Sequence, residues 1–449
     1  MRSDRFFLTL TLSLLLAALG WTGALAQKTT EGTLSDSTPA ADLPSDFAVE
    51  WMQLIYDRVR EDAISAPAAS RLYAYAGATL YESILPGMPD NFTLFGQVNG
   101  FPTVPYPAQE DGVFDWISVA NGALSTVMTG LFEERGEASP QAFADMRALW
   151  ADRRTGDVTP DVIERSLAYG DEVGAVILAW ALSDGYVETR GRPFEPPVGP
   201  EYWVPTAAEA QSVEPYWGEL RTFTLSFAQE CDIYIDYEFS TDPESPFYAQ
   251  AMEVYEVGQN LTEEQMEIAR FWVDTPGETG TPSGHWVLIQ NELTDVLGMS
   301  LNRAAEMYVK TNAALADSFI ATWALKYLYP LLRPETYITE YIDPRWSPYI
   351  ASPNFPEYPS GHSTTSAAGA EVLQLMFGQV AFTSVNFPGG ERMQRSFTSF
   401  QAAASEAAIS RLYGGIHYRA AIENGMDMGE CIGRAAFNRI TLRSLPQGE

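Results

Sequence analysis

Basic and hydroxyl side chains gather in three short segments of the second half of the chain. The segments read KYLYPLLRP at 326–334, PSGH at 359–362 and SRLYGGIH at 410–417. The 449 residues include only three lysines and three histidines, so their concentration in these segments indicates a function. Cations, a hydroxyl group and backbone amides together suit a tetrahedral oxyanion that passes through a five-coordinate state. The sequence therefore predicts one anion site made from all three segments.

The first segment places Lys326 seven residues before Arg333. On an uninterrupted helix this separation would put both side chains on one face, but Pro330 lies between them and should end the helix near Leu328. We therefore expect Lys326 at a helix end and Arg333 in a loop that returns toward it. Taken alone, the two residues could be an ordinary solvated pair.

The second segment begins a predicted helix that runs to Phe377. Ser360 can cap this helix, and Gly361 lets a backbone amide approach a ligand closely. The free amides and the positive end of the helix dipole favour an oxyanion at this point. His362 follows in the first turn. In isolation, the tetrapeptide could equally be an ordinary helix cap beside an exposed histidine.

The third segment separates Arg411 from His417 by six positions that include Gly414 and Gly415. The glycines permit a tight turn, so one helix end and the next helix start can present a guanidinium and an imidazole to one point. One imidazole could bind the central atom of the anion as a neutral nitrogen, while the other acts as acid or base. Without the other two segments, a surface arginine and a packed histidine would explain the same residues.

Helical patterns account for most of the remaining sequence. Ser45 is placed to cap a first helix, and Thr262 with Gln265 forms a capping box. Alternating strand patterns are scarce, and apolar residues recur at helical spacing in about these windows: 66–84, 112–132, 160–182, 262–274, 295–328, 362–377, 400–413 and 416–440. We therefore predict an all-α protein built from helical bundles.

Composition divides the chain into segments. Residues 1–26 have the basic start, apolar stretch and Ala-Leu-Ala end of a secretory signal peptide, so we expect a secreted or periplasmic protein that begins at Gln27. Residues 27–44 have little to bury and predict a flexible lead-in. The remaining segments are an N-terminal helical half, a proline- and aromatic-rich connector and a C-terminal helical half that carries the oxyanion site: 45–185, 186–245 and 246–445.

The net charge, the hydropathy and the cysteine content limit the classes of function that this sequence can have. The chain has 59 acidic and 27 basic side chains and a formal charge of -32, which argues against nucleic-acid and anionic-membrane binding. The N-terminal apolar stretch is too short to span a bilayer comfortably and no later one replaces it, so we do not expect an integral membrane protein. Cys231 and Cys431 could form a disulfide or remain two buried thiols.

The three motifs resemble those of the vanadium-dependent haloperoxidase and type 2 phosphatidic acid phosphatase superfamily. The pattern there is a lysine seven residues before an arginine-proline, then PSGH, then an arginine six residues before a histidine. The resemblance implies helical bundles of the vanadium haloperoxidase type and a vanadate cofactor, with phosphate as an alternative occupant of the same site. It implies that His417 ligates vanadium, that His362 is the acid–base group and that these residues bind the oxyanion: Lys326, Arg333, Ser360, Gly361 and Arg411.

The context of the motifs favours the peroxidase branch, in which hydrogen peroxide oxidises a halide. Phe355 stands where algal bromoperoxidases carry a second histidine, and Trp323 matches an aromatic residue of the chloroperoxidase halide pocket. Both could instead be core aromatics. The alternative is a secreted acid phosphatase that cleaves a phosphate ester with His417 as nucleophile and His362 as acid. A third hypothesis is a non-catalytic oxyanion-binding protein.

Two positions depart from the expected pattern. Ala421 stands where fungal and algal relatives have an aspartate four residues after the metal-binding histidine. An imidazole ligand needs a partner on its other nitrogen, so Glu423, a backbone carbonyl or a distant acid must replace that aspartate. His285 ends a second PSGH, at 282–285, without a lysine–arginine pair ahead of it. We interpret it as a packed or loop-capping histidine, with a place at the pocket rim as the alternative.

Overall fold

The computed structural model of the protein describes residues 36–206, 211–236 and 238–444. The predicted signal peptide and the first part of the predicted lead-in lie outside these residues. The described residues from 36 to 44 pack on the core, because Ala40 and Leu43 are buried and Leu43 O accepts a hydrogen bond from Leu301 N at 2.8 Å. No helix among the described residues is long and apolar enough to cross a membrane.

The described residues are mainly helical, so the predicted all-α class is confirmed. The helices are α1 (Asp46–Glu61), α2 (Ala66–Ser83), α3 (Trp116–Phe132), α4 (Ala138–Arg154), α5 (Pro160–Leu182), α6 (Tyr186–Thr189), α7 (Pro246–Gln259), α8 (Glu263–Phe271), α9 (Thr281–Val296), α10 (Leu301–Leu328), α11 (Pro334–Tyr341), α12 (Gly361–Phe377), α13 (Phe400–Tyr413) and α14 (Arg419–Arg439). One antiparallel hairpin joins β1 (Phe382–Asn386) to β2 (Met393–Phe397), with Phe382 opposite Phe397.

Each predicted helical window contains a helix. Where the structure departs from the sequence predictions, the cause is local. Thr262 and Gln265 form the predicted capping box in both directions. Ser45 precedes α1, but its side chain makes no capping hydrogen bond because its backbone is already helical. Helix α9 was not predicted, since it is buried on almost every side and so lacks an amphipathic pattern. The hairpin and four further helices also fall outside the predicted windows: α4, α6, α7 and α11.

Helix α10 is the central element that carries the first site segment. It is buried along most of its 28 residues and packs against α2 and α12. It ends at Leu328, as the proline at position 330 predicts, and Lys326 is buried in its last turn. The N-cap of the next helix, α11, is Arg333, whose extended backbone gives it the predicted loop position.

Helices α12 and α14 approach each other closely through glycines. A Cβ atom at Gly429 would lie 2.3 Å from Thr364 O, and one at Gly433 would lie 2.6 Å from Ala368 O. The start of α12 is also tied directly to α14, because Ser360 N donates a hydrogen bond to Ala421 O at 3.0 Å. Small residues on α14 therefore set the position of the helix start that carries the second site segment.

The segment 186–245 is largely irregular but packed in the part of it that the structure describes. Trp203 and Trp217 are buried, and Trp203 N donates to Pro330 O at 2.7 Å. Of the two alternatives for the cysteines, the structure contains the disulfide, which joins Cys231 to Cys431 in α14 across 200 residues. The division of the chain into two halves around this segment stays a prediction.

The glycine contact between α12 and α14 can be tested by substitution. We expect Gly429→Val to lower the free energy of unfolding by about 2–3 kcal/mol, because the added side chain would overlap the α12 backbone. Urea denaturation measures the loss. Glu430→Val, on the exposed neighbouring position, is the matched control, and an equal loss in both variants would contradict the close approach.

Candidate active site

The three predicted segments meet at one cavity of about 460 Å³. Its lining includes Gly361 and His362 from the second segment and Arg411 and His417 from the third. Residues from distant parts of the chain complete the walls: Ala63, Ser65, Ala66, Pro67, Val213, Asp274, Phe319, Trp323 and Phe355. The remaining predicted site residues, from the first segment and the helix start, lie fully buried behind this lining: Lys326, Arg333 and Ser360.

Arg333 reaches the imidazole of the third segment directly. Its Nη1 lies 3.2 Å from His417 Nε2 and donates to Ile416 O at 2.9 Å, while Nε donates to Phe355 O at 3.0 Å. The second terminal nitrogen, Nη2, is buried and has no partner among the described residues. Burial lowers the pKa of Arg333 to about 10, so the guanidinium remains charged at neutral pH.

Lys326 lies where the prediction expects it, but it contacts the backbone. Its Nζ donates to the carbonyl oxygens of Pro356, Glu357 and Pro359, the first two at 3.0 and 2.9 Å. These carbonyls use all three donors of an ammonium group. Burial holds the pKa of Lys326 well below its usual value, with the charge of Arg333 acting in the same direction. Lys326 therefore fixes the loop that enters the PSGH motif.

Ser360 caps α12 as predicted. Its Oγ accepts hydrogen bonds from Ser363 N at 3.3 Å and from Ser363 Oγ at 2.8 Å. Gly361, the first residue of the helix, lines the cavity, and a Cβ atom there would lie 3.6 Å from Trp323 Cζ3. The first amides of a helix have no partners within that helix. The start of α12 thus faces the cavity with the features of an anion seat.

His417 obtains its partner from a distant acid. Its Nδ1 lies 2.8 Å from Glu357 Oε1, which also accepts a hydrogen bond from Tyr418 N at 2.9 Å. Arg333 Nη1 can only donate, so the Nε2 that faces it keeps its lone pair and Nδ1 carries the proton that Glu357 Oε1 accepts. Burial, and then the charge of Arg333, holds the pKa of His417 well below its usual value. The neutral imidazole therefore keeps an unprotonated Nε2, which accepts a hydrogen bond from Arg333 Nη1.

Three candidates could replace the aspartate that relatives have where this chain has Ala421. The one that contacts His417 is the distant acid, Glu357. Glu357 is fully buried, and this burial raises its pKa to about 7 although Arg333 and Lys326 act in the opposite direction. Glu423 is exposed and lies 3.7 Å from Arg419 instead.

His362 faces a second buried carboxylate. Its Nε2 lies 3.6 Å from Asp274 Oδ2, an ion-pair separation longer than a hydrogen bond. Burial, followed by the nearby charge of Arg411, lowers the pKa of His362 to about 4, so its imidazole is neutral at neutral pH. Burial opposes ionisation of Asp274, but His285 and His362 outweigh it and hold the pKa of that carboxyl below its usual value.

Arg411 is held at the cavity wall by two oxygen atoms. Its Nε donates to Ser410 Oγ at 2.9 Å, and its Nη2 donates to Trp272 O. Burial lowers the pKa of Arg411 to about 10, while Asp274 raises it. The guanidinium is therefore charged at neutral pH, and one side-chain oxygen and one backbone oxygen hold it in place.

Two aromatic rings form one wall. The centroids of Trp323 and Phe355 are 4.9 Å apart, and Trp323 Nε1 donates to Val213 O at 3.0 Å. The Phe355 ring also contacts the cations, with Lys326 Nζ 5.2 Å and the Arg333 guanidinium carbon 4.9 Å from its centroid. Both residues thus line the cavity, and their role toward a halide stays a prediction.

Comparison with known proteins identifies the family. The sequence profile of the VCPO second helical-bundle domain matches residues 306–444. A crystal structure of a bacterial vanadium-dependent iodoperoxidase is similar over 91% of this chain and 99% of that chain, with a TM-score of 0.82 and 32% sequence identity. The chain belongs to the vanadium-dependent haloperoxidase family.

Two further haloperoxidase structures share the fold. They are holo and apo forms of a bacterial vanadium-dependent chloroperoxidase, with TM-scores of 0.64 and 0.62 and 16% identity each. The holo form is matched over 89% of this chain and 98% of that chain, and the apo form over 85% and 94%. No curated protein sequence matches this chain significantly.

The residues of this haloperoxidase fit the vanadate of the family name. Arg333 Nη2 is a buried donor without a partner among the described residues, and an oxyanion would satisfy it. His417 offers an unprotonated Nε2 beside this guanidinium, and three buried cations would offset the anionic charge. The donor set therefore suits a tetrahedral oxyanion with one nitrogen ligand.

The contacts of Glu357 with His417 and of Asp274 with His362 could not be predicted from the sequence. With 59 acidic residues in the chain, nothing in the spacing of these two sets them apart. Asp274 has a positive φ of 46°, which a sequence does not reveal. His285 is packed inside α9, as interpreted, and it is not part of the cavity lining. The PSGH motif at 282–285 was the one sequence feature that drew attention to His285.

The role of Glu357 can be tested by comparison with Glu423, the other acidic residue considered as the partner of His417. We expect Glu357→Leu to weaken phosphate and vanadate binding by about 10–100-fold, because His417 loses the acceptor that fixes its tautomer. Glu357→Gln keeps an acceptor oxygen and should lose less. Calorimetric titration measures the affinities. Glu423→Leu is the matched control, and equal losses at both positions would contradict the assignment.

The pKa of His362 predicts an acid-sensitive fold. Because its folded-state pKa of about 4 lies below the unfolded value of about 6.5, the unfolded chain binds the proton first, and stability falls as pH drops through this window. In ¹⁵N NMR the His362 ring should stay neutral down to about pH 4. Added phosphate should raise this pKa by favouring the charged ring. A ring that titrates near pH 6.5 without ligand would contradict its burial.

Proposed function

We propose that this protein oxidises a halide with hydrogen peroxide and uses vanadate as its cofactor. The observation that carries the proposal is the Glu357–His417 pair, which leaves His417 Nε2 unprotonated and 3.2 Å from a buried guanidinium nitrogen of Arg333. A neutral nitrogen ligand and fixed cations around one point are what an oxyanion with a metal centre requires. Family membership supports the same function.

In this proposal His417 holds the cofactor through Nε2. Arg333 and Arg411 offset the charge of its oxygens, and Ser360 and the Gly361 amide donate hydrogen bonds to them. Lys326 contributes positive charge and keeps the loop at 356–359 in place. Bound vanadate would supply Lewis-acid activation of hydrogen peroxide without a change of its own oxidation state.

His362 is proposed as the acid–base group. Its neutral imidazole can accept a proton as hydrogen peroxide enters and return it to the oxygen that leaves as water. Its Nε2 faces Asp274 Oδ2 at 3.6 Å, so Nδ1 is the nitrogen left for proton exchange. Burial disfavours the imidazolium that forms, and the negative charge of Asp274 stabilises it against this effect.

We infer that iodide is the preferred halide. Iodide is the most easily oxidised and least strongly hydrated of the common halides, so it loses least when it enters a cavity walled by Trp323 and Phe355. The similar bacterial iodoperoxidase supports this choice. Bromide is the next halide to test, and organic acceptors would react with the hypohalous product.

We also infer that the protein works outside the cytoplasm. The signal-peptide pattern of residues 1–26 and the disulfide between Cys231 and Cys431 support this location, because disulfides persist in oxidising compartments. Mass spectrometry of protein recovered from the periplasm or the culture medium should find an N-terminus at Gln27. An uncleaved chain inside the cell would contradict the inference.

The activity is tested with protein reconstituted with vanadate. We expect iodide oxidation, and bromination of a cyclic diketone if bromide also reacts, only when hydrogen peroxide is present. His417→Ala should abolish both. Arg411→Met should lower turnover by about 10²-fold or more, because it removes a buried positive charge that faces the developing negative charge. Arg434→Met, on exposed α14 surface, is the matched control.

The same experiment separates the other hypotheses. Folded protein that binds vanadate but oxidises no halide at any pH would contradict the proposal. Hydrolysis of a nitrophenyl phosphate ester, inhibited by vanadate, would then identify a phosphatase, since phosphate fits the same donors. If neither assay responds while phosphate raises the melting temperature, the protein is a non-catalytic anion binder.

A further inference from the structure

The second PSGH of the sequence ends in a histidine that shares a carboxylate with the proposed acid–base group. His285 is buried in α9, and its Nδ1 lies 3.1 and 3.3 Å from the two carboxylate oxygens of Asp274. His362 approaches the same carboxylate at 3.6 Å. Two of the three histidines in the chain therefore meet at one buried acid, although only His362 lines the cavity.

The hydrogen bonds of His285 define where its proton lies. The oxygens of an ionised Asp274 only accept, so His285 Nδ1 must carry a hydrogen. Its Nε2 lies 3.1 Å from Ser384 Oγ, and the serine hydroxyl can donate to it. In this arrangement both ring nitrogens of His285 have a hydrogen-bond partner.

Asp274 is fixed by its neighbours in a backbone conformation that is costly for an aspartate. Its φ is 46°, and a non-glycine residue keeps such a conformation only when the surrounding structure holds it. Asn386 Nδ2 donates to Asp274 Oδ1 at 2.9 Å, and His285 Nδ1 donates from another direction. These two donors orient the carboxylate so that Oδ2 remains the oxygen nearest to His362.

The hairpin supplies the outer part of this arrangement. Ser384 and Asn386 are both buried residues of β1, which lies beside α9. The His285 ring stacks on Trp272 with centroids 4.2 Å apart, and Trp272 O accepts the hydrogen bond from Arg411. One block of packed residues therefore sets the positions of Asp274 and Arg411 together.

We propose that His285 is a positioning residue that acts on His362 through Asp274, with Ser384 as its anchor on the hairpin. The proposal rests on the proposed function, because proton exchange at His362 is what the arrangement serves. His285 itself has no contact with the cavity and is not a catalytic residue. Its effect is to hold one oxygen of Asp274 toward the His362 ring.

Three variants separate the two hydrogen bonds of His285. His285→Phe removes both polar atoms but keeps a ring that can stack on Trp272. His285→Asn restores a donor near the place of Nδ1, and Ser384→Ala removes only the outer bond. Ser396→Ala is the matched control for the last, because this serine is exposed on the neighbouring strand β2.

The first readout does not depend on activity. In ¹⁵N-labelled protein with phosphate, the ring signals of His362 should change tautomer or shift in His285→Phe, change less in Ser384→Ala and recover in His285→Asn. Ser396→Ala should leave them unchanged. Phosphate affinity should remain that of the wild type in every variant, since His285 touches none of the groups that would bind the anion. Unchanged His362 signals in His285→Phe would overturn the proposal, whether or not halide is oxidised.

The second readout uses the vanadate-loaded enzyme. His285→Phe should lower kcat by about 10-fold or more with little change in KM for hydrogen peroxide, and His285→Asn should recover most of it. Parallel losses of kcat, phosphate affinity and melting temperature would indicate a merely structural role and overturn the proposal. If His285→Phe does not fold, the comparison of Ser384→Ala with Ser396→Ala decides, and identical His362 signals in the two would overturn it.

Discussion

The burial of three like charges is the constraint on which the rest of the structure depends. Lys326, Arg333 and Arg411 are each at most 1% exposed, and loss of hydration lowers the pKa of every one of them. Their mutual repulsion grows in a medium of low dielectric constant. Backbone carbonyls offset this cost, and they come from the loops that enter the PSGH helix, follow α8 and precede α14. The loops and the cations therefore hold each other in place.

Two buried carboxylates divide the chemistry of the site between them. Glu357 lies behind His417 and fixes the proton on the nitrogen that faces away from Arg333. Asp274 lies beside His362, where its charge favours the protonated ring that burial disfavours. In the proposed function, one imidazole thus offers an unprotonated nitrogen to the cofactor and the other exchanges a proton. The same residue type serves two purposes because the neighbouring acids differ in position.

The supporting shell comes from parts of the chain that carry none of the three motifs. Glycines of α14 bring its backbone against α12, and the hairpin contributes two hydrogen-bonding side chains behind Asp274. The segment 186–245 adds Val213, whose carbonyl oxygen accepts the hydrogen bond from Trp323. The start of α2 completes the cavity wall. Precise placement of a few site residues therefore depends on packing over much of the described chain.

The sequence alone determined the helical class, the end of α10 before Pro330 and the three segments that gather around the cavity. These follow from local periodicity, helix signals and the scarcity of lysine and histidine. It also showed that His417 needed a new partner, because the methyl side chain of Ala421 cannot accept a hydrogen bond. Only the tertiary structure decided that this partner is Glu357 and that His285 and His362 share Asp274. Contacts between residues 60 and 88 positions apart arise from packing of whole helices and loops, and no local pattern encodes which of 59 acids they select.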